Sequence, residues 1–497
     1  MWISILLETN QRPFRMKMNQ FKDGAGKVLR AFVDFYPHGP RCSPEPLDNV
    51  KRGVQRYLKR YNTRTNSASG RWRIVSFRHS RRSYRAFSTE KDLQFMSLSR
   101  PHNRIVAVRT YFEQRTEEPK NDRSSEKKEG HWLSGKVANP MTKYAEFRDN
   151  RSIAIGPRAG RAVVVQVETE SGHVGVATAS GGLAAAAIIE QHLSDYVIGE
   201  SAFAHTRIWD RMFSSTLLYG RKGLVLHAIS AVDLAIWDLH GQITGLPVHE
   251  LIGGKIRDAV RVYATGPDPS VAARGGFAGG KLPLVFGPSE GEEGFRSNNE
   301  IARTARASTP EDFPLMYDCW MALDVDYAVR LAHAVADLGF SWIEEPLPPD
   351  QYSDLRRLRD RMPPQMMLTT GEHEYTANGF RLLCEAGVDV IQPDPAWCGG
   401  LTELLRIWAV AQVFGVKVIP HAGGMLSYHF VISRPDGDLA EFPILAADGE
   451  SVAAQHAPLF LGEVLPEHGW VSVGDEPGFG LTLNPGASLV RTMDAHR

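Results

Sequence analysis

The chain has 497 residues, 57 basic and 57 acidic side chains, and 43% hydrophobic residues, the profile of a soluble protein with room for two domains or more. Its four cysteines (Cys42, Cys319, Cys384, Cys398) form no CxxC pair, which excludes a disulfide scaffold or a thiolate zinc site and fits a reducing compartment. No apolar run approaches the length expected of a membrane span.

The zero net charge hides an asymmetry. Residues 1–100 hold 21 Lys+Arg and 7 Asp+Glu, so +14; the remainder holds 57 − 21 = 36 basic and 57 − 7 = 50 acidic, so −14. Residues 1–102 read as a basic, disordered extension, Arg- and Ser-rich as in RWRIVSFRHSRRSYR at 71–85, with helical periodicity only at 50–61. Two readings compete with this one. A mitochondrial transit peptide lacks a positive start in MWISILLETN. A nucleic-acid arm, with Trp72, Phe77 and Tyr84 stacking on bases, lacks a recognition motif. The expectation is a cytoplasmic protein with no nucleic-acid or membrane partner, mitochondrial import by the extension staying as the alternative.

Residues 103–257 read as an α+β layer. RIVAVRTYF (104–112) is a strand, and AVVVQVETESGHVGVATAS (162–180) is a hairpin turned at Ser171-Gly172. The charged stretch 113–135 reads as a solvated loop or a lid. ISAVDLAIWDLHGQITGLPVHELIGG (229–254) reads as a helix stopped near Gly241, then a second short helix.

From 258 to 450 the chain keeps a strand–helix beat. VRVYATG (261–267) and the Gly-weakened GFAGGKL (276–282), ending near Lys281, open it. Polar residues then close successive apolar runs: Asp318 in PLMYD, Glu344 in FSWIEE, Glu372 in MMLTTGE, Asp394 in DVIQPD, His421 in VKVIPH and Glu441 in DLAEFP. The first spacings are 344 − 318 = 26 and 372 − 344 = 28, enough for one strand, one helix and two short loops. The intervening segments read as helices. One has Asp324 as N-cap, Ala328, Leu331, Ala332 and Val335 on one face, and Gly339 as its stop. Another follows Pro348-Pro349 with Tyr352, Leu355, Leu358 and Met362 on a face; a third runs from Thr376 to Gly387. A fourth covers 401–415, with Leu405, Trp408, Ala409 and Gln412 on successive turns. Eight strand ends in a βα repeat predict an α/β barrel with polar groups at its C-terminal mouth. Three carboxylates converging there need a cation to stay ionised together, and oxygen ligands suit a hard divalent metal.

These residues resemble the enolase superfamily, mandelate racemase subgroup, and within it the L-rhamnonate dehydratase branch. The likeness covers about 103–490 and rests on the helix AVDLAIWDLHGQITGLPVHELIGG, the metal motifs YDCW, WIEEPLPP and GEHEY, the base motifs QPDPAWCGGL and VIPHAGG, and the closing EPGFGLTLNP at 476–485. The resemblance implies a capping domain over 103–257, a modified (β/α)7β TIM-type barrel over 258–450, and a segment 451–497 returning to the cap. It implies Mg2+ held by Asp318, Glu344 and Glu372, a small sugar-acid substrate, and a homo-oligomer.

The expected chemistry is removal of the proton beside a substrate carboxylate, followed by loss of the neighbouring 3-hydroxyl. His421 is the expected base and Asp394 its orienting partner. Glu441 is expected to donate or share a proton with the charged intermediate. Relatives often carry Lys-x-Lys on the second strand; this chain has Lys281-Leu282-Pro283, which favours a one-base route and leaves Lys281 to contact the substrate carboxylate. His373, Trp320, Arg151 and His131 are further candidates for substrate contact, Trp320 against an apolar C6 and Arg151 as a five-donor fork. The branch's expected residues around His131 read SSEKKEG before it and LSGK after it, so the sugar itself stays open.

Overall fold

The structure, a computed structural model, describes residues 3–9, 12–22, 28–36, 103–114, 132, 135–149, 162–446 and 448–493. It divides into two compact units, Met1–Pro101 and His102–Arg497. In the first, Ile3–Thr9, Arg12–Lys22 and Val28–Tyr36 form an antiparallel sheet in chain order. This differs from the disordered extension that composition predicts. The sequence there alternates Phe14, Met16 and Met18 with Arg15, Lys17 and Asn19, the period of a strand. The helical stretch at 50–61 and Trp72, Phe77 and Tyr84 lie outside the described residues.

The second unit opens with a cap. Strands Ile105–Glu113, Val163–Thr169 and Val174–Ala179 pair antiparallel, and Leu489–Arg491 adds a fourth strand beside the first. The C-terminal segment therefore ends on the cap sheet. Helix Leu224–Thr244 covers the hairpin at very close range: a Cβ on Gly175 would lie 2.0 Å from the Ala235 carbonyl. This helix does not stop at Gly241 as the sequence suggested; it ends on left-handed Gly245, φ +67°. Gly241 instead admits a neighbouring backbone, since a Cβ there would meet Gly478 N at 2.1 Å. The 21-residue helix also corrects the expectation about membrane spans. It is long and apolar enough to cross a bilayer, but 89% of its most apolar window is buried in the protein, as a core helix requires. The short helix Val248–Leu251 follows.

Eight parallel strands make the barrel: Val260–Thr265, Gly280–Pro283, Leu315–Asp318, Phe340–Glu344, Met367–Thr370, Val390–Ile391, Lys417–Val418 and Leu439–Pro443. The ladder runs from the eighth strand through the first to the seventh, so the sheet has curled until its last strand lies beside its first. Helices follow each of the first seven strands, giving a (β/α)7β barrel. The segment after the seventh strand bonds the eighth at Glu441: Ala422 N donates to its Oε2 at 2.8 Å and the Tyr428 hydroxyl to its carbonyl at 3.1 Å. The helix after the third strand starts as its sequence dictates, Asp324 accepting from Tyr327 N at 2.9 Å. Helix Gly400–Phe414 buries Leu401, Leu404, Ile407 and Ala411, whereas Leu405, Trp408, Ala409 and Gln412 lie on its more open side. Both stripes are largely apolar, and contact with the cap helix selects the first.

Candidate active site

Each carboxylate on the third-to-fifth-strand side reaches the barrel mouth from a strand end. Asp318 and Glu344 are the last residues of their strands and face each other in register. Glu372 lies two residues past its strand, after Gly371, whose φ of +128° turns the chain. Between them stands Lys281, almost fully buried (1% exposed). Its ammonium pairs with Glu344, lies 3.0 Å from Glu441 Oε1 and 3.6 Å from Asp318 Oδ2. Burial disfavours its charge, but Glu344 and Glu441 outweigh that and hold its pKa well above the ordinary value. Glu344 Oε2 accepts from Gln392 Nε2 at 2.7 Å and Trp342 Nε1 at 3.2 Å.

The charge balance of this group points to a cation. Asp318, Glu344, Glu345, Glu372, Asp394 and Glu441 face one lysine and the histidines His373 and His421. Burial pushes Glu344 up to about 8 despite Lys281 beside it, and it raises Glu372 as well. Buried carboxylates driven toward their neutral form are the donors a hard divalent ion would keep ionised, so Glu344 and Glu372 fit such an ion, with Asp318 in register beside Glu344 as a third oxygen donor. Glu345, Glu372 and His373 also bring one ligand atom each within 4.8 Å of one another.

The opposite wall carries the dyad. His421 Nδ1 bonds Asp394 Oδ2 at 2.8 Å, and its Nε2 points inward, 3.4 Å from Glu372 Oε2. Burial works against a charged ring, but Glu372, Asp394 and Glu441 reverse the balance and lift His421 to about 10. Asp394 is fixed in turn by Ala396 N at 2.7 Å on its Oδ1. A cleft of about 230 Å3 runs past Asp394 and His421, between cap residues Val176–Ser180 and the C-terminal residues Phe460 and Leu481.

Glu441 and Lys281 both lie inside the carboxylate cluster. Burial opposes the charge of Glu441, yet Lys281, His421 and the Thr265 hydroxyl hold its pKa down to about 2, and Ala422 N takes its other oxygen. Lys281 is likewise turned to Glu344 and Glu441 rather than out toward a substrate. His373 does face the site: its Nδ1 bonds Glu345 Oε2 at 2.8 Å and its Nε2 lies 3.8 Å from Glu372 Oε1. Burial notwithstanding, Glu372 and Glu345 raise it to about 9. Trp320 packs edge-on to His373, centroids 6.3 Å apart. Arg151 and His131 lie outside the described residues.

Sequence reasoning missed Glu345, Gln392 and Trp397. Gln392 shares its parity with Asp394, a signal that both turn inward. Glu345 bonds His373 from a left-handed backbone, φ +43°. Trp397 packs 5.5 Å from His421 and 5.3 Å from His373, and its Nε1 lies 3.2 Å from Ser180 Oγ on the cap.

Comparison with known proteins assigns this architecture. A family model described as enolase C-terminal domain-like matches residues 271–487, and the mandelate racemase/muconate lactonizing enzyme N-terminal domain matches 147–253. The L-rhamnonate dehydratase of Saccharopolyspora erythraea is 49% identical over 367 residues, 74% of this chain and 94% of that protein. The chain belongs to the mandelate racemase/muconate lactonizing enzyme family of the enolase superfamily. Among solved family members, L-rhamnonate dehydratase from Gibberella zeae superposes with TM-score 0.74 at 38% identity, over 80% of this chain and 99% of that one. Rhamnonate dehydratase from the same organism, complexed with Mg, gives TM-score 0.75 at 37% identity, over 80% and 98%.

Proposed function

We propose that this chain is a Mg2+-dependent acid-sugar dehydratase, a hydro-lyase converting L-rhamnonate to 2-keto-3-deoxy-L-rhamnonate. The observation that carries the reading is the inward Nε2 of His421, held by Asp394 and aimed at the carboxylate cluster in a chain 49% identical to an L-rhamnonate dehydratase. Mg2+ on Asp318, Glu344 and Glu372 would supply Lewis acidity to the substrate carboxylate, typically several kcal/mol of charge stabilisation.

The chain's own residues do the rest. His421 Nε2 takes the C2 proton as the C2 electron pair moves toward the carboxylate. The C3–O bond then breaks, the pair forms the C2–C3 double bond, and the proton on His421 leaves with the hydroxyl as water. The enol product tautomerises to the 2-keto acid, so atoms and electrons balance without a redox partner. Asp394 holds Nδ1, and Nε2 becomes free to accept once a cation on Glu372 offsets the carboxylate charge that otherwise keeps the ring protonated. Lys281 and Thr265 fix Glu344 and Glu441, and His373 hydrogen-bonds a substrate hydroxyl from the side Glu345 sets. Lys281 is taken up by carboxylates, so it is not a second base, and a two-base racemase is disfavoured.

The test is a 2-keto-acid assay against L-rhamnonate, L-mannonate, L-lyxonate, L-fuconate and D-gluconate, with Mg2+ and with EDTA. Metal-dependent turnover of L-rhamnonate is expected. Turnover of another acid would keep the mechanism and change the substrate; silence with Mg2+ bound would overturn the dehydratase reading. The enzyme is further proposed to work in the cytoplasm, without nucleic-acid or membrane partners, as a homo-oligomer. Exposed Leu218 (98%) and Tyr219 (55%) on the cap motivate the last point. A monomer by sedimentation at micromolar concentration would remove it.

A further inference from the structure

The sixth barrel strand is only Val390–Ile391, and the segment after it, 392–402, carries Asp394 and Trp397 before entering helix Gly400–Phe414. So short a strand cannot fix that segment alone. The cap does so through side chains of two helices. From Leu224–Thr244, Ser230 Oγ accepts from Gly399 N at 2.9 Å. One turn on, Asp233 accepts twice from Thr402, from N at 2.9 Å on Oδ2 and from Oγ1 at 2.6 Å on Oδ1. Another turn on, Trp237 Nε1 donates to the same Thr402 Oγ1 at 2.9 Å. From helix His205–Thr216, Trp209 Nε1 donates to Gly399 O at 2.6 Å. The backbone is built to receive the carboxylate: Gly400 has φ +82°, and a Cβ there would sit 2.4 Å from Asp233 Oδ2. Asp233 is 1% exposed and caps, from another domain layer, a helix whose own Gly399 offers no side chain.

We infer that Asp233 is a positioning residue for the reaction: it locks residues 399–402 so that Asp394, and through it His421, keeps its aim. The inference rests on the dyad reading above and assigns a task to the helical signature AVDLAIWDL that the chemistry leaves unused. The same helix supplies a matched control. Asp238 is equally buried (2% exposed) and also accepts two hydrogen bonds, from Val176 N at 3.0 Å and Phe479 N at 3.1 Å, but neither of them comes from the sixth loop.

The experiment uses the full chain with Mg2+ and whichever acid it turns over. Misplacement of a catalytic group by about 1 Å can cost about 10²-fold in rate, so Asp233→Asn is expected to lower kcat about tenfold or more with KM within about threefold. Asp238→Asn should cost stability and shift KM through Val176 and Phe479 in the cleft wall, yet leave kcat within about twofold where it is folded. Asp233→Asn and Thr402→Val should be non-additive in kcat, since each removes the same link. Hydrogen exchange of the amides in 394–402 should quicken in Asp233→Asn alone. Equal kcat losses in Asp233→Asn and Asp238→Asn, or independent effects of Asp233→Asn and Thr402→Val, would overturn the inference. If the wild type turns over no acid, the dehydratase reading fails instead. Exchange then decides the clamp, and unchanged protection of 394–402 in Asp233→Asn rejects it.

Discussion

The two walls of the barrel mouth are built differently. On the third-to-fifth-strand side, Asp318 and Glu344 terminate strands of four and five residues and stand in register with each other. On the sixth-to-seventh side, the strands are two residues each, and Asp394 and His421 come three residues later, in loop. The first wall is positioned by sheet geometry; the second borrows its rigidity from the cap and from side-chain bonds such as Glu441 to Ala422 N. Ion binding and proton transfer should therefore be separable by mutation.

The sharpest separation is His421→Asn. Losing a positioned base should cut kcat by about 10³-fold or more, with Mg2+ affinity, read by calorimetry, nearly unchanged. A large loss of Mg2+ affinity would mean that the walls are not independent. Glu345→Gln probes the first wall from behind. Removing the carboxylate that orients His373 beside Glu372 should weaken Mg2+ binding or activity by about 10- to 100-fold, measured by metal titration of kcat. Gly241→Ala tests the cap alone: its Cβ would strike Gly478, and overpacking of this kind typically costs about 1–3 kcal/mol, seen in the urea midpoint. Activity of the folded fraction should persist, because Gly241 makes none of the hydrogen bonds to residues 399–402.

The smallest effect concerns pH. His429 is buried against His249, and burial first, then His249, pushes it down to about 3. Between about pH 3 and the ordinary histidine range near 6.5, the unfolded chain binds a proton there that the native chain does not. Stability from this site is thus complete above that range and lost as pH falls toward 3. His429→Gln should flatten the dependence of the urea midpoint on pH between 7 and 4.5; an unchanged slope would exclude His429 as its source.

What was legible in the sequence follows the same division. The 26- and 28-residue beat and the closing polar residues marked Asp318 and Glu344 because strand parity carries them to the mouth. Asp324 as helix cap was legible because capping is local. Glu345 was hidden by a backbone turn at φ +43°, and the two-residue strands gave no alternation from which to aim Trp397. The link from Asp233 to Thr402 spans 169 residues, and no local pattern encodes it. The strand-end carboxylates could be read from spacing, whereas the supports of Asp394 and His421 needed the fold. The contacts of Glu441 and Lys281 also needed it, since both are made across the barrel mouth.

The pairing of Leu489–Arg491 with Tyr111–Glu113, and of Thr492 with Thr110 across 382 residues, bears on the order of synthesis. On a ribosome the cap's first strand emerges long before the strand that covers its outer edge, Thr110 and Thr492 being 382 residues apart. Until then Ile105–Glu113 presents unpaired backbone groups along that edge, an invitation to pair with another nascent chain. Truncation before residue 489 should therefore yield aggregates rather than a soluble cap-and-barrel fragment, even though every residue of the candidate active site would already be present.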